Sequence, residues 1–311
     1  MKIGLIDVDG HNYPNLPLMK ISAYHKQKGD VVEWYEPLFT GHCDIVYMSK
    51  VFSFTPDYMY PIDADKIIKG GSGYCIEKIE GKEVYNKKKD TLLPKEIEHI
   101  YPDYSLYNIE DTAYGFLTRG CPRGCGFCHV ATKEGQCSHK VADLKEFWKG
   151  QKNIELLDPN ILACKDWKDL LKQLIDSKAK VNFNQGLDIR MMTEEKAKML
   201  SQIRISKIHF AWDRYEDKDI ILPKFKMFKK YSNINSHGLQ VYVLCNYDTT
   251  FEQDLERVNI LREIGYWAYI MIYDKEYLPK DSKLKKLQRW VNNRFIFAKV
   301  DNFDDYQKNY K

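Results

Sequence analysis

Long apolar runs are missing from this sequence: none of its 311 residues lies in one approaching the ~20 needed to cross a bilayer. Its opening, Met1-Lys2-Ile3-Gly4-Leu5-Ile6-Asp7, turns acidic after a few apolar residues, so no secretory signal is expected and the cytoplasm is the expected location. An excess of one charge sign is missing too. Forty-eight Lys and Arg against 44 Asp and Glu leave a formal charge of +4, which permits a nucleic-acid partner without arguing for one. Internal repeats and low-complexity tracts are absent, which excludes a solenoid. With 44% hydrophobic and 30% charged residues, the composition is not that of a disordered chain. The 22 tyrosines read as AT-rich codon usage rather than as a recognition surface. Cysteine is sparse and uneven. Eight are present, at 43, 75, 121, 125, 128, 137, 164 and 245, and three of them crowd into eight residues. A disulfide framework is out of place where thiols are kept reduced, so the crowded three need another explanation.

The length suggests about two domains. Residues 1–75 alternate strands and a helix: strand 2–8, helix 16–27 closed by Gly29-Asp30, then strands 31–35, 44–48 and 65–69 running into Gly70-Gly71-Ser72-Gly73. Strands joined by crossovers imply a doubly wound parallel sheet, with ligands at the carboxyl ends of its strands. Residues 76–110, rich in Lys, Glu, Pro and Tyr, read as a linker whose Lys87-Lys88-Lys89 run is a solvated surface. Alternation resumes over 111–275, with strands expected at 114–118, 154–157, 180–183, 207–212, 239–245 and 266–272 and helices near 167–177, 193–202, 220–231 and 251–264. Six such strands fit a partial (β/α)6 barrel, in which function collects at the C-terminal strand ends. A basic amphipathic segment around 284–291 reads as part of a helical tail, 276–311, covering the barrel rather than as a nucleic-acid arm.

The chemistry is concentrated in Thr118-Arg119-Gly120-Cys121-Pro122-Arg123-Gly124-Cys125-Gly126-Phe127-Cys128-His129. Three thiols at C-x3-C-x2-C follow a strand, in a loop whose glycines let it fold tightly. Closed structural zinc sites take four ligands, usually in two separated pairs. Three thiolates in one loop suit a [4Fe–4S] cube with one iron left open. A zinc site completed by His129, Cys137 or His139 is the alternative.

This spacing, with an aromatic residue before the last cysteine and a strand before the loop, resembles the radical S-adenosylmethionine superfamily over roughly residues 112–274. The resemblance implies that Cys121, Cys125 and Cys128 ligate the cluster and that Phe127 packs near the adenine. The open iron then chelates S-adenosylmethionine, whose reductive cleavage gives a 5′-deoxyadenosyl radical for hydrogen abstraction or group transfer. It also implies an electron donor, a reductase, flavodoxin or ferredoxin. Where the family carries a Gly-Gly-Glu-like segment after the second strand, this chain has Leu157-Asp158-Pro159-Asn160, leaving Asp158 to accept the amino group. The third strand is followed by Asn184, Gln185, Asp188 and Arg190, a polar set for ribose, carboxylate or substrate. A mutual ion pair of Asp188 and Arg190 capping the next helix is the structural alternative. Asp213 and Asn246, at the ends of the fourth and fifth strands, are further lining residues. Cys245 reads as an inert core thiol.

The first sheet resembles the cobalamin-binding domains that precede many such barrels. Their D-x-H-x-x-G loop is approached by Asp9-Gly10-His11-Asn12-Tyr13-Pro14, making His11 the counterpart of the cobalt ligand, but Pro14 replaces the glycine. A degenerate domain used for docking or packing is the favoured reading and cobalamin the lesser one. Methylthio-transferring members share the Thr-Arg-Gly-Cys opening but typically carry a second three-cysteine cluster, which Cys43 and Cys75 cannot supply. The expected function is a radical S-adenosylmethionine enzyme of unassigned substrate, whether small molecule, nucleotide, RNA or peptide. A cobalamin-dependent methyltransferase and, in another class, a zinc-stapled nucleic-acid-binding protein are the alternatives.

Overall fold

The computed structural model describes residues 1–10, 13–79, 82–205 and 207–309. The chain divides into two compact units: Met1–Cys137 with Val141–Ile154, and Ser138–Lys140 with Glu155–Lys311. Both contain parallel sheet and helix, so the α/β class read from the sequence is what the structure shows. No helix among the described residues is long and apolar enough to cross a membrane.

In the first unit, β1 (Lys2–Asp7) leads through α1 (Leu16–Gln27) to β2 (Val31–Trp34), β3 (Cys43–Ser49) and β4 (Ala64–Gly70). These four form a parallel sheet in the order β2-β1-β3-β4. Alternation along β1 sends Ile3 and Leu5 to one face, against Leu18 and Ile21 of α1, and Ile6 to the other, against Val46 and Met48. Both faces are therefore apolar, as a doubly wound sheet requires. Asn15 starts α1, its side-chain oxygen accepting from Leu18 N at 3.3 Å while its amide donates to Ser49 Oγ at 2.8 Å. The strand order reverses between β1 and β3, so a switch point opens at their carboxyl ends.

The described residues of the stretch 76–110 are structured. After α2 (Ser72–Cys75), an antiparallel hairpin pairs β5 (Ile76–Ile79) with β6 (Lys82–Tyr85), and α3 (Lys95–Glu98) buries Ile97 beside α1. The strand expected at 114–118 appears as β7 (Thr112–Gly115) and β8 (Thr118–Arg119), interrupted at Phe116 and Leu117. Packing explains the interruption: a Cβ on Gly115 would lie 2.4 Å from the Phe147 ring, so the chain runs against that ring before turning away. The unit's remaining helix, α4 (Val130–Glu134), follows the cysteine loop.

The second unit repeats strand and helix. After β9 (His139–Lys140) and β10 (Asn153–Leu156), which starts in the first unit, come α5 (Trp167–Ser177), β11 (Lys180–Phe183), α6 (Glu194–Leu200) and β12 (Ile208–Ala211). Next are α7 (Lys218–Tyr231), β13 (Leu239–Cys245), α8 (Phe251–Glu263), β14 (Trp267–Ile272), α9 (Lys283–Asn292), α10 (Arg294–Lys299) and α11 (Phe303–Asn309). Strands β12, β13 and β14 are parallel neighbours in that order. Two isolated parallel bridges tie the stretch around β11 to the stretch leading through β12: Val181 N of β11 donates to Arg204 O at 2.9 Å, and Leu187 N donates to His209 O of β12 at 2.8 Å, while Asn184 N donates to Leu156 O of β10 at 2.9 Å.

One face of this sheet is sealed by helices, with the Phe210 ring edge-on to Phe225 and Phe228 of α7. Helix α9 seals the edge at β14. Asn292 Oδ1 accepts from Ile270 N at 2.8 Å, while Asn292 Nδ2 and Gln288 Nε2 donate to Ile270 O at 3.0 Å. Buried Leu287, Trp290 and Val291 hold that helix in place.

Candidate functional site

Chain geometry closes the cysteine loop at its base. Gly120, just past β8, has φ +80°, and a Cβ there would stand 2.2 Å from the Cys137 carbonyl oxygen, so only glycine fits. Glu134 of α4 reaches back to the same point, accepting from Arg119 Nη1 at 2.8 Å and from Gly120 N at 3.2 Å. Cys121 N donates to Gly135 O at 3.1 Å and Cys128 N to Cys125 O at 3.0 Å. The Arg119 guanidinium also lies 3.4 Å from the Phe116 ring centroid. His129, directly after Cys128, is held by Glu83 of β6 through Nε2 to Oε2 at 3.2 Å.

Between these anchors, Cys121 and Cys125 are half-buried, Cys128 is exposed and Phe127 is half-buried. Among the described residues, no group of three or more His, Cys, Asp and Glu side chains is drawn together closely enough to hold a metal ion. The donor chemistry of the loop still fits an iron–sulfur cluster, since one short loop pinned at both ends carries three soft thiols.

The other predicted residues lie in the second unit. Asp158 and Asn160 are buried, and Asn160 Nδ2 donates to Asp188 Oδ2 at 3.3 Å. Asp188 Oδ1 accepts from the backbone and the Nε of Arg190, at 3.1 and 2.8 Å, capping the short turn Ile189–Met191. Arg190 bridges onward to Asp217 at 2.9 Å. Asn184 accepts from Asn182, which also donates to Glu155 at 2.7 Å, and Gln185 is exposed. Asn246 ends β13 in the left-handed region at φ +67°, its amide donating to Tyr273 O at 2.9 Å. Burial pushes the Asp213 carboxyl up to about 6, against the opposing pull of Arg190 and Arg257. Thus Asn160, Asp188, Arg190 and Asp217 form one bonded chain, with Asp213 in its field. Cys245 is fully buried, its thiol pushed up by burial and then by Asp254.

Sequence reasoning missed Arg257. Fully buried on α8, it donates to Trp212 O at 2.6 Å, Asp213 O at 3.1 Å and Leu244 O at 2.7 Å, and pairs with Asp254 at 2.5 Å. One guanidinium therefore ties the carboxyl ends of β12 and β13 together. The available signal was position: 254 and 257 share a helical face with apolar 258 and 261.

At the mouth of the first sheet, the Asp9 carboxylate accepts from Val51 N and Phe52 N, each at 2.8 Å, pinning the loop after β3. Gly71, at φ +99°, approaches that loop so closely that a Cβ would meet Lys50 O at 2.3 Å. Tyr107 donates to Asp7 Oδ2 at 2.6 Å and packs edge-on to Trp34. Asp7 Oδ1 is buried without a hydrogen-bond partner among the described residues, and burial raises this carboxyl. The carboxyl end of β1 is thus filled from within the chain. His11, the counterpart of a cobalt ligand, lies outside the described residues.

No family model matches the chain. The tRNA-2-methylthio-N(6)-dimethylallyladenosine synthase of Sulfurihydrogenibium sp. (strain YO3AOP1) is similar to it, 29% identical over 182 residues, or 50% of this chain and 41% of that protein. The chain therefore spans less than half the length of this relative. The likeness supports an enzyme of the radical S-adenosylmethionine kind, its reaction subclass open.

Proposed function

We propose that this protein is a radical S-adenosylmethionine enzyme with a single [4Fe–4S] cluster held by Cys121, Cys125 and Cys128, and that β7 and β10–β14 are the six strands of its partial (β/α)6 barrel. The observation that carries this reading is the glycine-hinged loop after β8, closed at its base by Glu134 and carrying the three thiols. When bound, the cluster supplies one-electron cleavage of S-adenosylmethionine to methionine and a 5′-deoxyadenosyl group. The protein's part is to bind and orient. Phe127 offers an apolar face for the adenine, and Asp158, Asn184, Gln185 and Asn246 offer polar groups for ribose and amino acid. Arg190, held by Asp188 and Asp217, positions a charge at the strand ends. Asp213, titrating near 6, can hold a proton there at mildly acid pH.

The relative's name suggests a nucleoside in RNA as the substrate class; a cytoplasmic setting and a reductase, flavodoxin or ferredoxin as electron source belong to the same proposal. Methylthio transfer with a second cluster is not the favoured reaction, because Cys43 and Cys75 are both fully buried with thiols pushed up by burial. Nor is cobalamin favoured, because Tyr107 and Asp7 fill the end of β1; retention of hydroxocobalamin through gel filtration would reverse that.

Anaerobic reconstitution with iron and sulfide tests the enzyme reading. Charge-transfer absorbance in the visible and 5′-deoxyadenosine on dithionite reduction are expected. Both should vanish in Cys121→Ser, Cys125→Ser and Cys128→Ser. Tightly held zinc with no iron would instead establish a zinc-stapled protein.

A further inference from the structure

The two edges of the first sheet differ. Strand β2 is four residues long, whereas β4 runs for seven and pairs only with β3, so its outer side is open among the described residues. Lys50 N donates to Gly70 O at 3.1 Å, which turns the backbone groups of the even-numbered positions toward β3 and, by alternation, those of Ile67 and Lys69 outward. Asp65, Lys66, Ile67 and Lys69 are exposed, Ile67 by 43%. An open row of donors and acceptors on a strand of this length is a template for a further strand.

Charge and symmetry select what pairs there. A second copy related by a two-fold axis presents the same strand in the antiparallel sense. Directly opposed residues in an antiparallel ladder turn their backbone groups the same way, so the axis passes through a residue. Centring it on Asp65, Lys66 or Lys69 sets like charges face to face. Centring it on Ile68 leaves Asp65 beyond the end of the opposing strand, and centring on Ala64 or Gly70 leaves most of β4 unpaired. Centring it on Ile67 sets that side chain against its own copy and places Asp65 opposite Lys69 twice, once on each side of the axis. Both groups are accessible, Asp65 keeping 68% of its side chain exposed beside His42 and Lys69 47% beside Asp57. Lys66 then lies opposite the half-buried Ile68, whose side chain its aliphatic stem covers.

One strand edge supplies less than the about 800 Å² per partner that a stable interface buries, so its flanks matter. Register puts Ile67 beside Val46, on the face that Tyr58 and Ile62 cover rather than the face of α1. The loop between β3 and β4 is tied to the edge there, Asp57 accepting from Lys69 Nζ at 2.7 Å, and it exposes Phe54, Met59 and Tyr60. We propose that β4 is a dimerisation edge, at which two copies of this chain pair antiparallel about Ile67 and join their four-stranded sheets into one. The self-complementary placing of Asp65 and Lys69 about Ile67 selects a second copy over a strand of unrelated sequence.

Sedimentation equilibrium of the full-length chain over a wide concentration range tests it. A reversible dimer of the 36.8 kDa chain is expected, with a dissociation constant that rises with salt. Asp65→Lys and Lys69→Asp each set like charges opposite one another at two places and should weaken the dimer roughly 4-fold or more. The double variant exchanges the two charges and should recover it. Ile67→Pro withdraws an outward N–H at a position where an edge strand tolerates proline, and should leave only monomer. Circular dichroism and thermal melts matching the parent certify the variants as folded, and the charge exchange decides the matter if Ile67→Pro does not fold. A parent that stays monomeric at every concentration overturns the proposal. So does a dimer unchanged in the folded single variants, or a double variant no tighter than the singles. The measurement needs neither iron nor reductant, so its outcome stands apart from that of the enzyme reading.

Discussion

Replacing Arg257 with methionine, which is similar in length and uncharged, probes the tie between two strand ends. The substitution takes the donor from the carbonyls of Trp212, Asp213 and Leu244 and leaves the fully buried Asp254 without its cation. Removing one member of a buried pair costs about 3–5 kcal/mol, most of it the penalty of the charge left behind. Against a native margin of about 5–15 kcal/mol that is a severe loss. For a unit of this size it corresponds to a fall in melting temperature of roughly 6–20 °C. Removing the stranded charge as well, in Asp254→Leu with Arg257→Met, should recover about 1–3 kcal/mol while the three carbonyls remain undersatisfied. Urea unfolding followed by circular dichroism at 25 °C would measure both variants. A single variant within about 1 kcal/mol of the parent, or a double variant no better than the single, would refute the pairing argument.

Asp213 titrates near 6 when folded against 3.8 in the ordinary case, so its contribution to stability is full below 3.8 and lost as pH rises through about 6. Asp213→Asn should therefore gain on the parent by up to ~3 kcal/mol at neutral pH and by little at about pH 4; urea midpoints that differ equally at both would contradict this. Tyr107→Phe should cost about 1–3 kcal/mol, and more at pH 7 than in acid, because the tyrosine hydrogen bond opposes the upward shift of Asp7. Stability curves at the two pH values check it. Asn292→Ala should cost about 1–2 kcal/mol and raise light scattering on heating, since the Ile270 N–H at the edge of β14 loses its partner. An unchanged melt would refute the argument that this N–H needs the Asn292 side chain.

Strand β13 and helix α5 were legible because each pattern is self-contained: a largely apolar run between Gly238 and Asn246, and Leu170, Leu171 and Leu174 at helical spacing. The cysteine spacing was legible for the same reason, being local. What closes that loop was not, since Glu134 and Gly120 declare their relation only once α4 has turned back on β8. The hairpin of β5 and β6 escaped because Lys78, Lys82 and Glu83 break any apolar alternation, so its strands read as solvated linker. The interruption at Phe116 depends on Phe147, thirty-one positions away. Arg257 carries no local signal of its use, which only the carbonyls of two other elements reveal.

The phenol of Tyr107 has a consequence for control of the molecule. Tyr107→Gly would carve a ring-shaped hole bounded by the Trp34 indole and the Asp7 carboxylate, matched in shape and polarity to a free phenol molecule. Folding of that variant would then be linked to the concentration of an added small molecule, each tenfold excess over its dissociation constant contributing about 1.4 kcal/mol. The residue that plugs the sheet would have become a socket, and the first unit could be switched from outside without touching the cysteine loop.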